Sequence, residues 1–227
     1  MQLDQRSSYY SGIFQFFYGL SSSFNIGFDV YLKSVRVDER SSSPFSTLLF
    51  ENRQGSRTAI TPMGPKIKFT PFKSLSNLSI QSTLLFPVGK DLEGQSNGKP
   101  FLDHEKYTWW TQVFFDQTLS SKFQLFTEAD LLLRIDDKLK SEETHVLSPL
   151  KAFISYFPAQ KLTIYGMTDF TPKYGDDFLS GYFLQSGIGT KYQLMPGLII
   201  ELLYTDFWKG KNEGAGQTFN LGLRWLP

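Results

Sequence analysis

The chain of 227 residues contains no cysteine. Disulfide frameworks and thiolate metal sites are therefore excluded, while the cellular compartment stays open. No stretch approaches the roughly 18 consecutive apolar residues that a membrane-spanning helix requires. Neither charge sign dominates, because 23 basic and 22 acidic side chains leave a formal charge of +1. That balance gives no electrostatic case for binding nucleic acid or another polyanion.

Aromatic residues, by contrast, are abundant, and one long segment alternates regularly between apolar and polar side chains. Phenylalanine, tyrosine and tryptophan make up 16% of the chain, which is high for a soluble domain. In residues 123–136 one face carries Phe123, Leu125, Thr127, Ala129, Leu131, Leu133 and Ile135. The other face carries Gln124, Phe126, Glu128, Asp130, Leu132, Arg134 and Asp136. Because side chains alternate across a strand, this pattern predicts a strand between lipid and a wet interior.

Short polar turns divide the sequence into hairpins of such strands. The predicted strands are residues 10–20 with 24–33, 63–72 with 78–88, 107–119 with 123–135, 150–157 with 162–170, 182–194 with 198–208, and a closing strand, 218–226. Longer polar connections join one hairpin to the next. Outer-membrane barrels show the same asymmetry, with short periplasmic turns and long external loops. The pattern predicts an all-β fold, a transmembrane antiparallel up-and-down β-barrel that forms one domain over residues 1–227.

The number of strands is about eleven, whereas bacterial single-chain barrels use even numbers. The first predicted strand would also run from the outside inwards, although an exported chain starts in the periplasm. We therefore expect one missing N-terminal strand and a barrel of about 12 strands. Another chain supplying that strand, or residues 45–52 acting as a further strand, are the alternatives. Residues 1–7 lack the apolar region of a signal peptide, so we expect a sequence that is mature or truncated at its front.

Aromatic side chains fall near the predicted strand ends, where an interfacial belt requires them. Trp109 and Trp208 lie near the outer ends, and Tyr18, Tyr192 and Trp225 near the inner ends. A soluble β-sandwich with aromatic core positions is the alternative, but its strands usually run shorter.

Ionised residues on the predicted inward faces are the best candidates for function. They are Asp29, Lys33, Lys66, Lys68, Asp116, Glu128, Asp130, Arg134, Lys151, Asp169, Lys191, Glu201 and Arg224. One interpretation is a polar pore whose charges select the solute. The other is a plugged lumen in which these residues pair and hold the strands together.

No enzyme motif, cofactor site or metal site is expected. Only two histidines are present, His104 and His145, both in predicted loops. His145 near Ser148 would suit a membrane hydrolase, but no nucleophile motif surrounds them. Asp103, His104 and Glu105 are adjacent, and adjacent loop residues rarely converge on one ion.

Four segments resemble a known family. Residues 17–28 (FYGLSSSFNIGF) are similar to a "YGLT…LGV" hairpin, residues 64–69 (GPKIKF) to a "G-D-x-x-x-x-K-Y" strand, and residues 84–91 (LLFPVGKD) to an "lPTGd" strand end. Residues 216–225 (GQTFNLGLRW) are similar to the closing strand of many outer-membrane barrels and its assembly signal. The family is the MetA-pathway of phenol degradation family of transporter-like outer-membrane proteins. The resemblance implies a transport role and a strand before the first hairpin. The chain departs from the pattern by ending on Leu226-Pro227 and by carrying Val88.

These observations predict an integral, multi-pass protein of the Gram-negative outer membrane. It would act as a small-solute channel or transporter, or as a closed accessory barrel within a larger outer-membrane complex. The expected partners are outer-membrane lipid and lipopolysaccharide, and proteins at external loop 34–62, where Phe45, Leu48, Leu49 and Phe50 form an apolar patch. No nucleic-acid partner is expected.

Overall fold

The computed structural model describes residues 5–39, 41–94, 98–135, 145–175, 178–213 and 216–226. Its strands are β1 (Gln5–Ser21), β2 (Phe24–Glu39), β3 (Ser56–Phe69), β4 (Leu78–Pro87), β5 (Tyr107–Ser120), β6 (Phe123–Ile135), β7 (His145–Leu147), β8 (Leu150–Ala159), β9 (Leu162–Tyr174), β10 (Gly181–Met195), β11 (Leu198–Lys211) and β12 (Gln217–Trp225). A 3-10 helix, Pro44–Leu49, lies between β2 and β3 and is called the loop helix below. Within the described residues, no helix has the length and apolarity to cross a membrane.

The strands form one sheet in which strands that follow one another in sequence pair, except that β7 and β8 both lie between β6 and β9. All eleven predicted strands are present. A further short strand, β7, was not predicted; it is separated from β8 only by Ser148 and Pro149, and both strands pair with β9. Proline has no N–H to donate, so the ladder is interrupted there. The Pro149 carbonyl still accepts from the Asp130 N–H at 2.8 Å.

The contacts of the chain divide it into two compact units. Unit 1 comprises Met1–Lys68, Ser82–Trp109 and Arg134–Glu142, and unit 2 comprises Phe69–Gln81, Trp110–Leu133 and Glu143–Pro227. That residues 1–227 form one domain stays a prediction.

In unit 1, β1 and β2 extend well beyond their predicted ends. They pair from Gln5 opposite Glu39 down to the turn at Ser22 and Ser23. Residues 34–39 and 56–62 are therefore strand rather than external loop, because a polar sequence does not stop two strands from pairing. Residues 45–52 do not form the alternative strand. Pro44 begins the loop helix there, and the Phe45 N–H donates to the side chain of the capping residue Ser43 at 3.3 Å.

The connection between β4 and β5 contributes two leucines to the small apolar core of unit 1. Leu92 and Leu102 from this connection are buried against Val35 of β2. The Arg57 guanidinium, itself buried, donates to the Asp91 carbonyl at 2.6 Å and to the Pro100 carbonyl at 3.1 Å. The two buried leucines and the Arg57 guanidinium thus together fix the position of the described part of this connection.

Unit 2 carries a row of aromatic rings on the same face as its ionised groups. Phe114 stacks on Phe126 at 5.8 Å between ring centroids, and Phe126 meets the edge of Phe153 at 5.5 Å. Tyr165 of β9 follows at 6.1 Å from Phe153. These residues occupy successive strands, so the rings tie β5, β6, β8 and β9 together.

Polar and apolar side chains are distributed in the reverse of the usual order for a soluble protein. The buried polar or charged residues include Asp29, Lys66, Gln81, Gln112, Asp130 and Asp169. The exposed large apolar residues include Phe14, Phe16, Leu131, Ile154, Ile188, Leu202 and Leu221. The exposed side chains of these strands are thus largely apolar, whereas the buried ones include ionised and amide groups.

Candidate functional site

The ionised side chains meet on the buried faces of the strands, hereafter the polar face. In unit 1 its centre is an ion pair between Lys66 of β3 and Asp29 of β2, with Nζ and Oδ2 2.6 Å apart. Both side chains are almost completely buried, with 0% and 1% of their surface exposed. The Phe17 ring lies 4.9 Å from the Lys66 ammonium, and Gln15 donates to Asp29 at 3.3 Å. This ion pair is desolvated, and its neighbours Gln15 and Phe17 both come from β1.

Glycine at position 27 makes room for this ion pair. A Cβ atom there would lie 2.8 Å from Cγ of Lys66 and 2.3 Å from the Phe16 carbonyl oxygen. Two residues along β2, Asp29 shares the face of Gly27, so the small residue and the carboxylate together accommodate the lysine chain.

In unit 2 two carboxylates share one ammonium group. Lys151 Nζ lies 2.7 Å from Glu128 and 3.1 Å from Asp130. The strand register explains the arrangement, because β6 places Glu128 directly opposite Lys151 of β8. Asp130 is on the same face, two residues further along.

Neutral polar groups extend this cluster across two further strands. Gln112 donates to Glu128 at 2.8 Å, and Gln81 donates to Gln112 at 2.7 Å. The Trp110 indole N–H donates to Asp130 at 3.1 Å, and its ring lies 5.9 Å from the Lys151 ammonium. A continuous polar network therefore links β4, β5, β6 and β8.

A second polar group in unit 2 joins β9, β10 and β11. The Tyr165 hydroxyl donates to Glu201 at 2.5 Å, and Lys191 lies 3.5 Å from the same carboxylate. The Lys191 ammonium sits 5.0 Å from the centre of the Tyr165 ring. Gly189, opposite Tyr165, leaves space for that ring, since a Cβ atom there would lie 2.3 Å from it.

Carboxylates elsewhere on the polar face of unit 2 are bonded to neutral groups. Asp169 accepts from Gln185 and from Thr171, both at 2.8 Å. Asp116 accepts from Gln124 at 3.1 Å. These carboxylates are thus hydrogen-bonded to neutral side chains of their own strand or of the adjacent one.

The β4–β5 connection places a histidine within a charged cluster of unit 1. His104 lies 3.1 Å from Arg134 and 3.6 Å from Glu93, with the Phe101 ring 5.1 Å away. Burial lowers the pKa of His104, and the positive charge of Arg134 lowers this pKa further. Asp103 turns instead to Lys33, at 2.8 Å.

The adjacent residues Asp103, His104 and Glu105 therefore do not converge on one point. Glu105 accepts from the Leu92 N–H at 2.6 Å, whereas the other two bind different partners. Among the residues that the structure describes, no group of three or more histidine or acidic side chains is arranged to hold a metal ion. Ser148 donates to the Asp130 carbonyl at 2.9 Å, while the His145 side chain lies outside the described residues.

The remaining predicted residues differ in exposure. Lys68 is half-buried on β3 next to the Asp29–Lys66 pair, and Arg224 is exposed on β12. The five predicted belt aromatics are all exposed, namely Tyr18, Trp109, Tyr192, Trp208 and Trp225. Trp109 also donates from its indole N–H to Ser82 at 2.8 Å.

The sequence reasoning missed the neutral members of the polar network. Gln81, Gln112 and Trp110 do not ionise, so a search for charged residues passes over them. Strand alternation was the available signal, because Trp110 and Gln112 are two residues apart on one face of β5.

Comparison with known proteins identifies the fold. No protein-family model and no curated protein matches the chain. The chain is similar to the crystal structure of an outer-membrane channel from Pseudomonas putida F1, with a TM-score of 0.61, 12% identity, and coverage of 95% of this chain and 82% of that one. It is also similar to a loop L8 deletion mutant of OmpT, an outer membrane protein of Vibrio cholerae, with a TM-score of 0.46, 10% identity, and coverage of 98% of this chain and 99% of that one.

The likeness to the Pseudomonas structure shows that the chain has an outer-membrane β-barrel fold, which confirms the predicted fold class. At this level of identity the likeness concerns the fold alone. Membership of the MetA-pathway of phenol degradation family stays a prediction.

Proposed function

We propose that the protein is an integral outer-membrane β-barrel that conducts small solutes along its polar face. The reversed distribution of side chains is the observation that carries this proposal. Large apolar residues are exposed along the strands, whereas aspartate, lysine and glutamine are buried. Such a surface is stable against lipid, and a polar interior suits a wet conduit.

Retaining ionised groups on the polar face also favours conduction over a purely structural role. An apolar core of similar volume is often at least as stable as buried ion pairs, because desolvating charges is costly. Stability alone therefore does not account for the part-buried Glu128–Lys151–Asp130 cluster. Charged rings that select and pass solutes do account for such groups in channels.

The proposed conduit carries both signs of charge and several aromatic rings. The Lys191 side chain is 37% exposed and the Glu201 side chain 29% exposed. Among the described residues, theirs is the most solvent-exposed ion pair on the polar face of unit 2. This mixture favours small polar or zwitterionic solutes over strongly charged ones. Transport is also the role that the family resemblance implies, and the similar Pseudomonas protein is described as a channel.

A second candidate function is a closed accessory barrel. The complete burial of the Asp29–Lys66 pair and the packing of Leu92 and Leu102 against Val35 favour it. In that case the ion pairs hold the strands together, and function resides in the external connections. We expect no enzymatic activity from either form.

Single-channel conductance in a planar bilayer tests the proposal. The purified protein should give steady current steps, and Glu128→Gln should change their cation-to-anion selectivity, because it removes one charge from the polar face. Glu51→Gln is the matched control, since Glu51 lies in the β2–β3 connection with 41% of its side chain exposed, and it should leave selectivity unchanged. Absence of current from a protein shown to be folded in the same membrane would favour the closed barrel.

A further inference from the structure

The loop helix and Phe50, the residue that caps its C-terminal end, present four large apolar side chains to their surroundings. Phe45 is 69% exposed, Leu49 63%, Leu48 45% and Phe50 41%. Within the helix the buried residue is Thr47. On a helix surrounded by water, the large apolar side chains are expected to be buried and the threonine exposed. The loop helix shows the opposite arrangement.

The position of the helix on unit 1 is defined by specific contacts with β1 and β2. Ser34 donates to the Thr47 carbonyl at 2.9 Å, and the Tyr10 ring meets the Phe50 ring edge-on at 5.3 Å. Ser46 donates to Asp38 at 2.9 Å. The exposed apolar side chains are therefore held in place rather than carried on a loosely attached segment.

The helix lies where the side chains on the outer face of the β1–β2 hairpin change from apolar to polar. Below the helix, that face of β2 carries Ile26, Phe28, Val30 and Leu32, and paired positions of β1 carry Phe16 and Phe14. Above it, the same face carries Ser34, Arg36 and Asp38 of β2, with Arg6 and Ser8 of β1. Because alternation keeps these residues on one side of the sheet, the loop helix marks the boundary between its apolar and polar parts.

Charged groups surround the helix on its polar side. Arg36 pairs with Asp38 at 2.7 Å and with Glu51 at 3.4 Å, and Arg53 pairs with Glu51 at 2.9 Å. Arg6 donates to the Ser42 carbonyl. With three arginines and two carboxylates, this border carries an excess of positive charge, which complements the phosphate groups of a lipid headgroup layer.

We propose that the loop helix is a membrane-interface anchor whose occupant is the outer-leaflet lipid. Phe45 and Leu49 insert between the acyl chains and the headgroups, continuing the lipid contact of Phe28 and Phe16. The arginines at the border lie at the level of the anionic headgroups. A lipid partner replaces the protein partner expected at external loop 34–62. This inference rests on the outer-membrane location proposed above.

Spin labelling tests the anchor directly, because the chain has no native cysteine. A nitroxide is attached to single-cysteine variants Phe45→Cys and Leu49→Cys, reconstituted in vesicles of phosphatidylethanolamine and phosphatidylglycerol. Phe28→Cys is the lipid-facing reference on β2, and Lys99→Cys, exposed in the β4–β5 connection, is the aqueous reference. At each site, power saturation compares accessibility to oxygen, which concentrates in lipid, with accessibility to a water-soluble nickel chelate.

We expect oxygen accessibility to exceed nickel accessibility at Phe45 and Leu49, as at Phe28, with the reverse at Lys99. Nickel-dominated values at Phe45 and Leu49 beside a lipid-like value at Phe28 would overturn the anchor while leaving the membrane location intact. A nickel-dominated value at Phe28 as well would overturn both proposals. Spin–spin broadening at Phe45 that disappears on dilution with unlabelled protein would show a second copy in place of lipid, which also contradicts the anchor.

Discussion

At the scale of single residues, the Asp29–Lys66 pair is the clearest example of charge placed where water does not reach. Its supporting groups, Gln15 and Phe17, come from β1, the strand next to Asp29. An ion pair of this kind is held by its partners and not by solvent. Its removal therefore has a different effect from the removal of a surface pair.

We predict that Lys66→Met destabilises the folded protein by about 3–5 kcal/mol, because it leaves the Asp29 carboxylate buried without its cation. Urea unfolding in lipid vesicles, followed by tryptophan fluorescence, measures the effect. Lys33→Met is the matched control, because the Lys33–Asp103 pair is more exposed, at 26% and 13%. A similar loss of stability in both variants would show that the burial of the Asp29–Lys66 pair does not determine the size of the effect.

The histidine in the β4–β5 connection should make that connection sensitive to acid. The pKa of His104 is lowered in the folded state by burial and by Arg134, although Glu93 and Asp103 oppose the shift. A lowered pKa means that folding favours the neutral imidazole. Its contribution to stability is therefore present above the unfolded pKa of about 6.5 and is lost as pH falls through the lower folded pKa.

We accordingly expect the unfolding free energy of the parent protein to decrease as the pH falls below about 6.5. His104→Gln should remove that part of the pH dependence while keeping a neutral polar side chain. Unfolding titrations at a series of pH values provide the measurement. An unchanged pH profile in the variant would assign the dependence to other groups.

At the scale of elements, the sequence allowed all eleven predicted strands to be placed, because alternation and turn residues are local signals. The sequence did not reveal how far β1 and β2 extend. Their polar ends form strand because they pair with each other, and this pairing leaves no hydrophobic pattern. The sequence also did not reveal where the β4–β5 connection packs. Arg57 of β3 holds that connection through hydrogen bonds to residues 33 to 43 positions later in the sequence. Hydrogen bonds over such separations leave no local sequence pattern.

Arg57 gives this connection a testable dependence on one side chain. Its guanidinium donates to four carbonyls, those of Lys90, Asp91, Leu92 and Pro100. We predict that Arg57→Gln increases trypsin cleavage after Lys90 or Lys106 by about tenfold or more, because each charge-assisted hydrogen bond contributes about 1.5–3 kcal/mol. Arg53→Gln, at an exposed site, is the control, and equal cleavage in the two variants would argue against the anchoring role.

At the scale of the whole molecule, the exposed apolar face should respond to charge according to depth. Ile188 lies at the middle of β10 and is 62% exposed, while Leu194 lies near its end and is 48% exposed. If β10 crosses a bilayer, Ile188→Arg costs about 2–4 kcal/mol and Leu194→Arg about 0–1 kcal/mol. Folding titrations into lipid vesicles measure both values, and equal costs would contradict a membrane-embedded β10.

The pairing of each strand with its neighbours in sequence has a consequence for how the chain folds. In β10 and β11 the ladder runs from Met195 opposite Leu198 outwards to Tyr182 opposite Lys211. Contacts of this kind have short sequence separations, so the loop-closure entropy of forming each hairpin is small. Each hairpin of the chain can therefore begin to form from residues close to its own turn. Formation of each hairpin from its turn is therefore expected to be fast relative to the pairing of one hairpin with the next.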